Sequence, residues 1–137
     1  MKDHFKGGCL CGAVRYECWG KPIAMGNCHC RDCQRSTGGA YAPTVLVPRM
    51  AVKIMGPVQY YEMEGEAGGL MRRGFCPNCG SRLFSEPPIA ALLGIMAGSL
   101  DDPSEFQPQM DFYTASAQPW NCMNPDLPKF EKMPSLS

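Results

Sequence analysis

Nine cysteines in 137 residues constrain this chain more than any other feature. Nine is odd, so one chain cannot pair them all as disulfides. Seven fall in three tight clusters: Cys9-Leu10-Cys11, Cys28-His29-Cys30-Arg31-Asp32-Cys33 and Cys76-Pro77-Asn78-Cys79. Cys18 and Cys122 stand apart. Thiols this close chelate one ion readily, and the tightest pair would form a disulfide only with strain. The opening Met1–Gly8 has no apolar core, which reads as no secretory signal. The longest apolar stretch, Pro88–Leu100, is broken by glycine and shorter than the about 20 residues that span a bilayer. A soluble, cytoplasmic protein is expected, and in that compartment clustered cysteines signal metal or redox chemistry more often than staples.

The spacing separates the clusters by chemistry. Cys76-x-x-Cys79, followed by Gly80, reads as a zinc knuckle, and Cys9-x-Cys11 as a tighter one. Two such pairs complete a closed four-sulfur tetrahedron, the geometry of structural zinc. Cys28, Cys30 and Cys33 then remain as three ligands beside one open position, the arrangement of a catalytic zinc. Spacing alone also permits Cys28 and Cys30 to join the third cluster. It permits a single structural zinc as well, with the other thiols idle or Cys30 and Cys33 acting as a redox pair.

Acidic and basic side chains number 13 each, which argues against nucleic acid or an anionic membrane as the main partner. Six of the seven arginines, all but Arg49, lie within four positions of a clustered cysteine. They either balance thiolate charge or bind a carboxylate-bearing substrate beside the metal.

Between the clusters the chain reads as short strands. With 15 glycines and 13 prolines, long helices are disfavoured. Residues 13–17, 41–47, 51–55, 58–62, 71–75, 82–85, 92–97 and 110–114 carry the strand signals. Asp101-Asp102-Pro103 marks a turn that one of the two aspartates could cap. One short helix is expected from Cys30 to Thr37, stopped by Gly38-Gly39. The fold class is therefore all-β, one domain over 1–137 with 124–137 a loosely held tail anchored by Leu127 and Phe130. Cys18 and Cys122 read as half-buried small hydrophobes, and the ten methionines as core filler. Trp120 is a candidate for a pocket edge.

Gly8-Cys9-Leu10-Cys11-Gly12-Ala13-Val14-Arg15-Tyr16, Cys28-His29-Cys30-x-x-Cys33-Gln34-Arg35 with Gly38, and Arg73-Gly74-Phe75-Cys76-Pro77-x-Cys79-Gly80 together form a recognisable order. With Gly98-Ser99-Leu100-Asp101-Asp102-Pro103, Pro119-Trp120 and Asp126-Leu127-Pro128-Lys129-Phe130, the chain resembles a compact member of the family of glutathione-dependent formaldehyde-activating enzymes. The resemblance implies a Mss4-like β-tent of antiparallel sheets around two zinc ions. Cys9, Cys11, Cys76 and Cys79 would hold the structural ion, and Cys28, Cys30 and Cys33 the catalytic one.

The activity it implies is that of a carbon–sulfur lyase, joining glutathione and formaldehyde as S-(hydroxymethyl)glutathione. A zinc-bound thiol would react as its thiolate. Arg31, Arg35 and either Arg72 or Arg73 would receive the carboxylates; strand alternation sets Arg72 and Arg73 on opposite faces, and Arg73 is preferred. His29, flanked by two ligands, is expected to point away from the metal and donate to backbone. Asp111 stands where many compact members carry histidine, which would alter the open site's charge if it faces the metal. The alternative is a non-catalytic zinc-binding β-domain serving as an interaction module, because one fold hosts enzymes and non-enzymes alike.

Overall fold

A computed structural model describes residues 1–66, 68–89 and 91–134. Short apolar runs punctuated by glycine and proline make strands here and little else. In chain order these are β1 (His4–Gly8), β2 (Arg15–Trp19), β3 (Ala24–Cys28), the helix α1 (Arg31–Thr37), β4 (Ala42–Pro48) and β5 (Val52–Met55). They continue with β6 (Gln59–Glu64), β7 (Leu70–Phe75), β8 (Arg82–Glu86), β9 (Leu92–Met96), β10 (Met110–Phe112) and β11 (Lys129–Phe130). The all-β class expected from the sequence is the class observed. Among the described residues, no helix is long and apolar enough to cross a membrane.

The strands form two sheets, β1-β2-β5 and β11-β10-β3-β4-β9-β8-β7-β6. Most neighbours run antiparallel, but β10 pairs in parallel with both β3 and β11, so the larger sheet is mixed rather than wholly antiparallel. Three strands, β1, β3 and β11, lie outside the segments with strand signals. Within the expected tail, Lys129–Phe130 completes the sheet as β11. The tail is held by backbone and by the Lys129 ammonium, which reaches Asp111 Oδ2 (3.2 Å) and the carbonyls of Asn124 and Leu127. Phe130, expected as an anchor, is exposed.

Both sheets feed one core, with Val14, Tyr16, Val45, Val47, Leu83, Phe84, Leu93 and Ile95 fully buried. Tyr16 meets Phe84 edge-on with ring centroids 5.4 Å apart. Its hydroxyl lies 2.7 Å from Ser99 Oγ, and Ser99 in turn donates to the Met96 carbonyl, so Tyr16 is the donor of the pair. Gly7 bridges across to Leu100 at this point. A β-carbon on Gly7 would lie 2.1 Å from Tyr16 Oη and 2.4 Å from the Ser99 carbonyl. Gly7→Ala therefore lowers stability by about 2 kcal/mol, the cost of overpacking a closed contact. Thermal melts check this, and an unchanged midpoint would show that the two elements can part without loss.

The helix begins one residue later than the sequence suggests, because Cys30 is its cap. Cys30 Sγ accepts from Cys33 N at 3.3 Å. Gly38 ends it in the left-handed conformation (φ 76°), donating to the Gln34 carbonyl at 2.8 Å. Asp102 caps the turn at 103–105 by accepting from Ser104 N, as its place before proline suggests.

Candidate functional site

Cys9 and Cys11 follow β1, while Cys76 and Cys79 follow β7. Sγ of Cys11 lies 3.6 Å from that of Cys9 and 3.8 Å from that of Cys76. Four sulfurs placed tetrahedrally about ~2.3 Å from one ion stand about 3.8 Å apart, whereas a disulfide is about 2.05 Å. The spacing therefore fits a metal and excludes a bond, and all nine cysteines are free thiols. Neighbouring donors already point at sulfur: Val14 N to Cys9 Sγ (3.2 Å) and Asn78 Nδ2 to Cys11 Sγ (3.2 Å). Ser81 Oγ accepts from Leu10 N at 3.0 Å and lies 3.2 Å from Cys79 Sγ, tying the two knuckles together. Hydrogen bonds from Ser81 pull the Cys79 thiol down to about 5. Such outer contacts orient metal ligands.

The remaining three clustered thiols meet elsewhere. Cys28 ends β3, Cys30 caps α1 and Cys33 lies in the first helical turn; all three are buried. Their sulfurs lie within 4.8 Å of one another and form a group separate from the first four. Cys28 and Cys30 thus join Cys33 rather than the third cluster. Cys33 is pulled down to about 3 by hydrogen bonds from Cys28 and Cys30 and by the Arg73 cation, and the same hydrogen bonds push Cys28 up. One proton-poor sulfur among buried neighbours is a donor set suited to a cation. Gln34 locks the segment, its amide donating to the carbonyls of His29 (2.7 Å) and Ser116 (2.9 Å).

His29 is completely buried and turned away from the sulfurs. Its partner is a carboxylate rather than the expected backbone: Nε2 hydrogen-bonds Asp111 Oδ1 at 2.8 Å, while Nδ1 lies 3.4 Å from the Asn121 amide. Asp111 does not join the three-sulfur group. Its oxygens take Asn27, His29 and Lys129 instead. Burial pushes its carboxyl up, but the hydrogen bonds from His29, Lys129 and Asn27 prevail and hold it below the usual carboxylate range.

The arginines sort differently in space than in sequence. Arg73 is buried, with Nη1 4.0 Å from Cys33 Sγ. Arg72 faces the other way, over the Tyr60 ring and paired with Glu86 and Glu62, as strand alternation requires. Arg31 and Arg35, both expected at the substrate, are instead exposed on α1, Arg31 bonding Gln34 of its own helix. Arg15 forms a two-pronged pair with Asp101 (2.6 and 2.9 Å).

A cavity of about 240 Å³ opens beside the three-sulfur group, and Cys28, Cys30 and Cys33 all line it together with Arg73. None of Cys9, Cys11, Cys76 and Cys79 does. Arg31, Arg35 and Trp120 are also absent from its wall, and Trp120 is exposed elsewhere. Tyr113 lines the cavity in a left-handed backbone conformation (φ 57°), costly for a bulky side chain and often found beside functional sites.

A family model described as glutathione-dependent formaldehyde-activating enzyme matches residues 4–116, most of the chain. The chain belongs to this family. No curated protein matches it. Among solved structures, a Rhodobacter sphaeroides protein is similar at 17% identity with a TM-score of 0.59, covering 91% of this chain and 98% of that one. At that identity the likeness is one of fold.

In this member of the formaldehyde-activating family, sequence reasoning missed most of the cavity wall. Met71, Met110 and Met133 line it, although methionine reads as core filler. Phe112 and Tyr113 lie in the 110–114 segment, whose strand signal concealed their second role. Of the two cysteines expected to be half-buried, Cys18 is fully buried, with its thiol pushed up to about 11 by burial, and Cys122 is exposed.

Proposed function

We propose that this protein is a zinc-dependent enzyme of the carbon–sulfur lyase type that adds a thiol, glutathione or another, to formaldehyde or a related small aldehyde. Cys9, Cys11, Cys76 and Cys79 would hold a closed structural zinc; Cys28, Cys30 and Cys33 would hold a second. The observation that carries this reading is that only the three-sulfur group borders the cavity. A fourth coordination position beside those thiols would have room for a substrate, whereas four cysteines would complete a tetrahedral set by themselves and none of them lines this cavity. A cytoplasmic location belongs to the same reading, since the clustered thiols must stay reduced.

Zinc bound by the three cysteines would supply a thiolate from an incoming thiol whose ordinary pKa is about 8.5. The protein's own residues do the rest. The cavity wall excludes water and holds the aldehyde carbon against sulfur. Arg73, the cation of the cavity wall, would offer its guanidinium to the carbonyl oxygen as negative charge grows there. The S–C bond forms, the carbonyl π pair moves to oxygen, and oxygen ends with the thiol's proton. His29, committed to Asp111 and Asn121, positions the cysteine segment and moves no proton.

Zinc-loaded protein is expected to form the thiol–formaldehyde adduct above the uncatalysed rate for at least one thiol in a panel that includes glutathione. Cys30→Ser should return the rate to background and halve the zinc content while leaving the melting transition in place. No acceleration with any thiol, at two zinc ions per chain, would favour the non-catalytic zinc domain.

A further inference from the structure

Reading Cys28, Cys30 and Cys33 as an open metal site leaves the thiol unnamed, and the cavity beside those sulfurs restricts it. Glutathione brings two carboxylates and an ammonium. Such groups enter a buried site only where each finds a partner. Among the described residues the wall offers one cation, Arg73, against two acids, Asp32 and Glu66. Arg73 is 5% exposed, and its Nη1 is turned to Cys33 Sγ at 4.0 Å. Glu66 is paired with Lys132, which lies outside the wall at 3.4 Å from its carboxylate. The cations that could receive carboxylates lie elsewhere, Arg31 on Gln34 and Arg72 on Glu86.

Apart from the hydroxyls of Thr44, Ser85 and Tyr113 the rest of the wall is apolar, with Leu46, Met71, Ile89, Met110, Phe112 and Met133 prominent. An alkyl or aryl body leaves water favourably on such a surface, and methionines adapt to its shape. We infer that the cavity takes an uncharged thiol with an apolar body in preference to glutathione. This rests on the open-site reading and narrows its substrate. The chemistry is unchanged: sulfur bonds to the aldehyde carbon, the carbonyl π pair goes to oxygen with the thiol proton, and nothing is oxidised or reduced.

Cobalt in place of zinc tests this directly, because its visible absorption changes when a further sulfur joins the ligand set. Benzyl mercaptan and glutathione are titrated separately into the cobalt-loaded protein. Benzyl mercaptan should half-saturate the change at a concentration lower by about tenfold or more, a difference of about 1.4 kcal/mol. Ile89→Lys, at a half-exposed loop position on the cavity rim, adds a cation and should narrow that gap by strengthening glutathione. Equal or tighter binding of glutathione overturns the inference and leaves the open site standing. A gap that Ile89→Lys leaves unchanged also overturns it, by placing the probe outside this cavity. If neither thiol alters the spectrum, the open-site reading fails and the inference with it.

Discussion

Cys76→Ser is expected to abolish the cooperative melting transition. The four-sulfur group joins residues 9–11 to residues 76–79, and Cys11 and Cys76 lie 65 positions apart. Closing a loop of that length removes much of the unfolded chain's freedom, so a crosslink there stabilises strongly. Zinc binding to structural sites is worth about 10–16 kcal/mol in small zinc-folded peptides, comparable with the about 5–15 kcal/mol by which whole domains are stable. Among the described residues the other side-chain contacts between the two knuckles are single hydrogen bonds, Leu10 N to Ser81 Oγ and Asn78 Nδ2 to Cys11 Sγ, each worth far less than a shared ion. Circular dichroism melts and zinc content of Cys76→Ser, set beside Cys30→Ser, make the check. A Cys76→Ser protein that melts cooperatively near the parent's temperature would show that the sheets stand without this ion.

The contrast between those two variants rests on a partition that was partly legible in the sequence. Two-residue and one-residue gaps between thiols declare chelation because they are local. Which thiols come together is a tertiary question that spacing leaves open, and the meeting of β3 and α1 decides that Cys28 and Cys30 join Cys33. The helix was legible because Gly38 supplies the left-handed cap that stops it. β4 and β9 were legible from their branched and apolar runs.

By contrast, β1 is His-Phe-Lys-Gly-Gly and β3 is Ala-Met-Gly-Asn-Cys, segments with weak strand preference of their own. Their pairing with β2, β4 and β10 makes them strands. The same holds for Lys129–Phe130, two residues that a sheet edge recruits. The arginines misled because closeness in sequence ignores direction. Arg31 and Arg35 sit beside clustered cysteines on a helix whose outer face carries them away, while Arg73 reaches Cys33 across forty positions.

Asp111→Asn is expected to cost about 3 kcal/mol, and the cost should shrink in acid. Asp111 is 1% exposed and carries the buried charge that His29, Asn27 and Lys129 all address. Removing one partner of a buried charged pair costs about 3–5 kcal/mol. The lower end applies because the Lys129 side chain is one-third exposed and its ammonium can turn to water. The carboxyl is held below its ordinary value of about 3.9 in the folded protein. A group depressed in this way stabilises fully above its unfolded-state pKa and loses that contribution as pH falls through the folded one. The gap between the parent and Asp111→Asn should therefore begin to close as pH falls below the unfolded carboxyl's value of about 3.9, and vanish only once pH has passed the lower value at which the folded Asp111 takes up its proton. Denaturant unfolding of both proteins at equal metal content, from neutral pH downward, gives the comparison. A gap constant across that range would mean that Asp111 acts through packing and not through its charge.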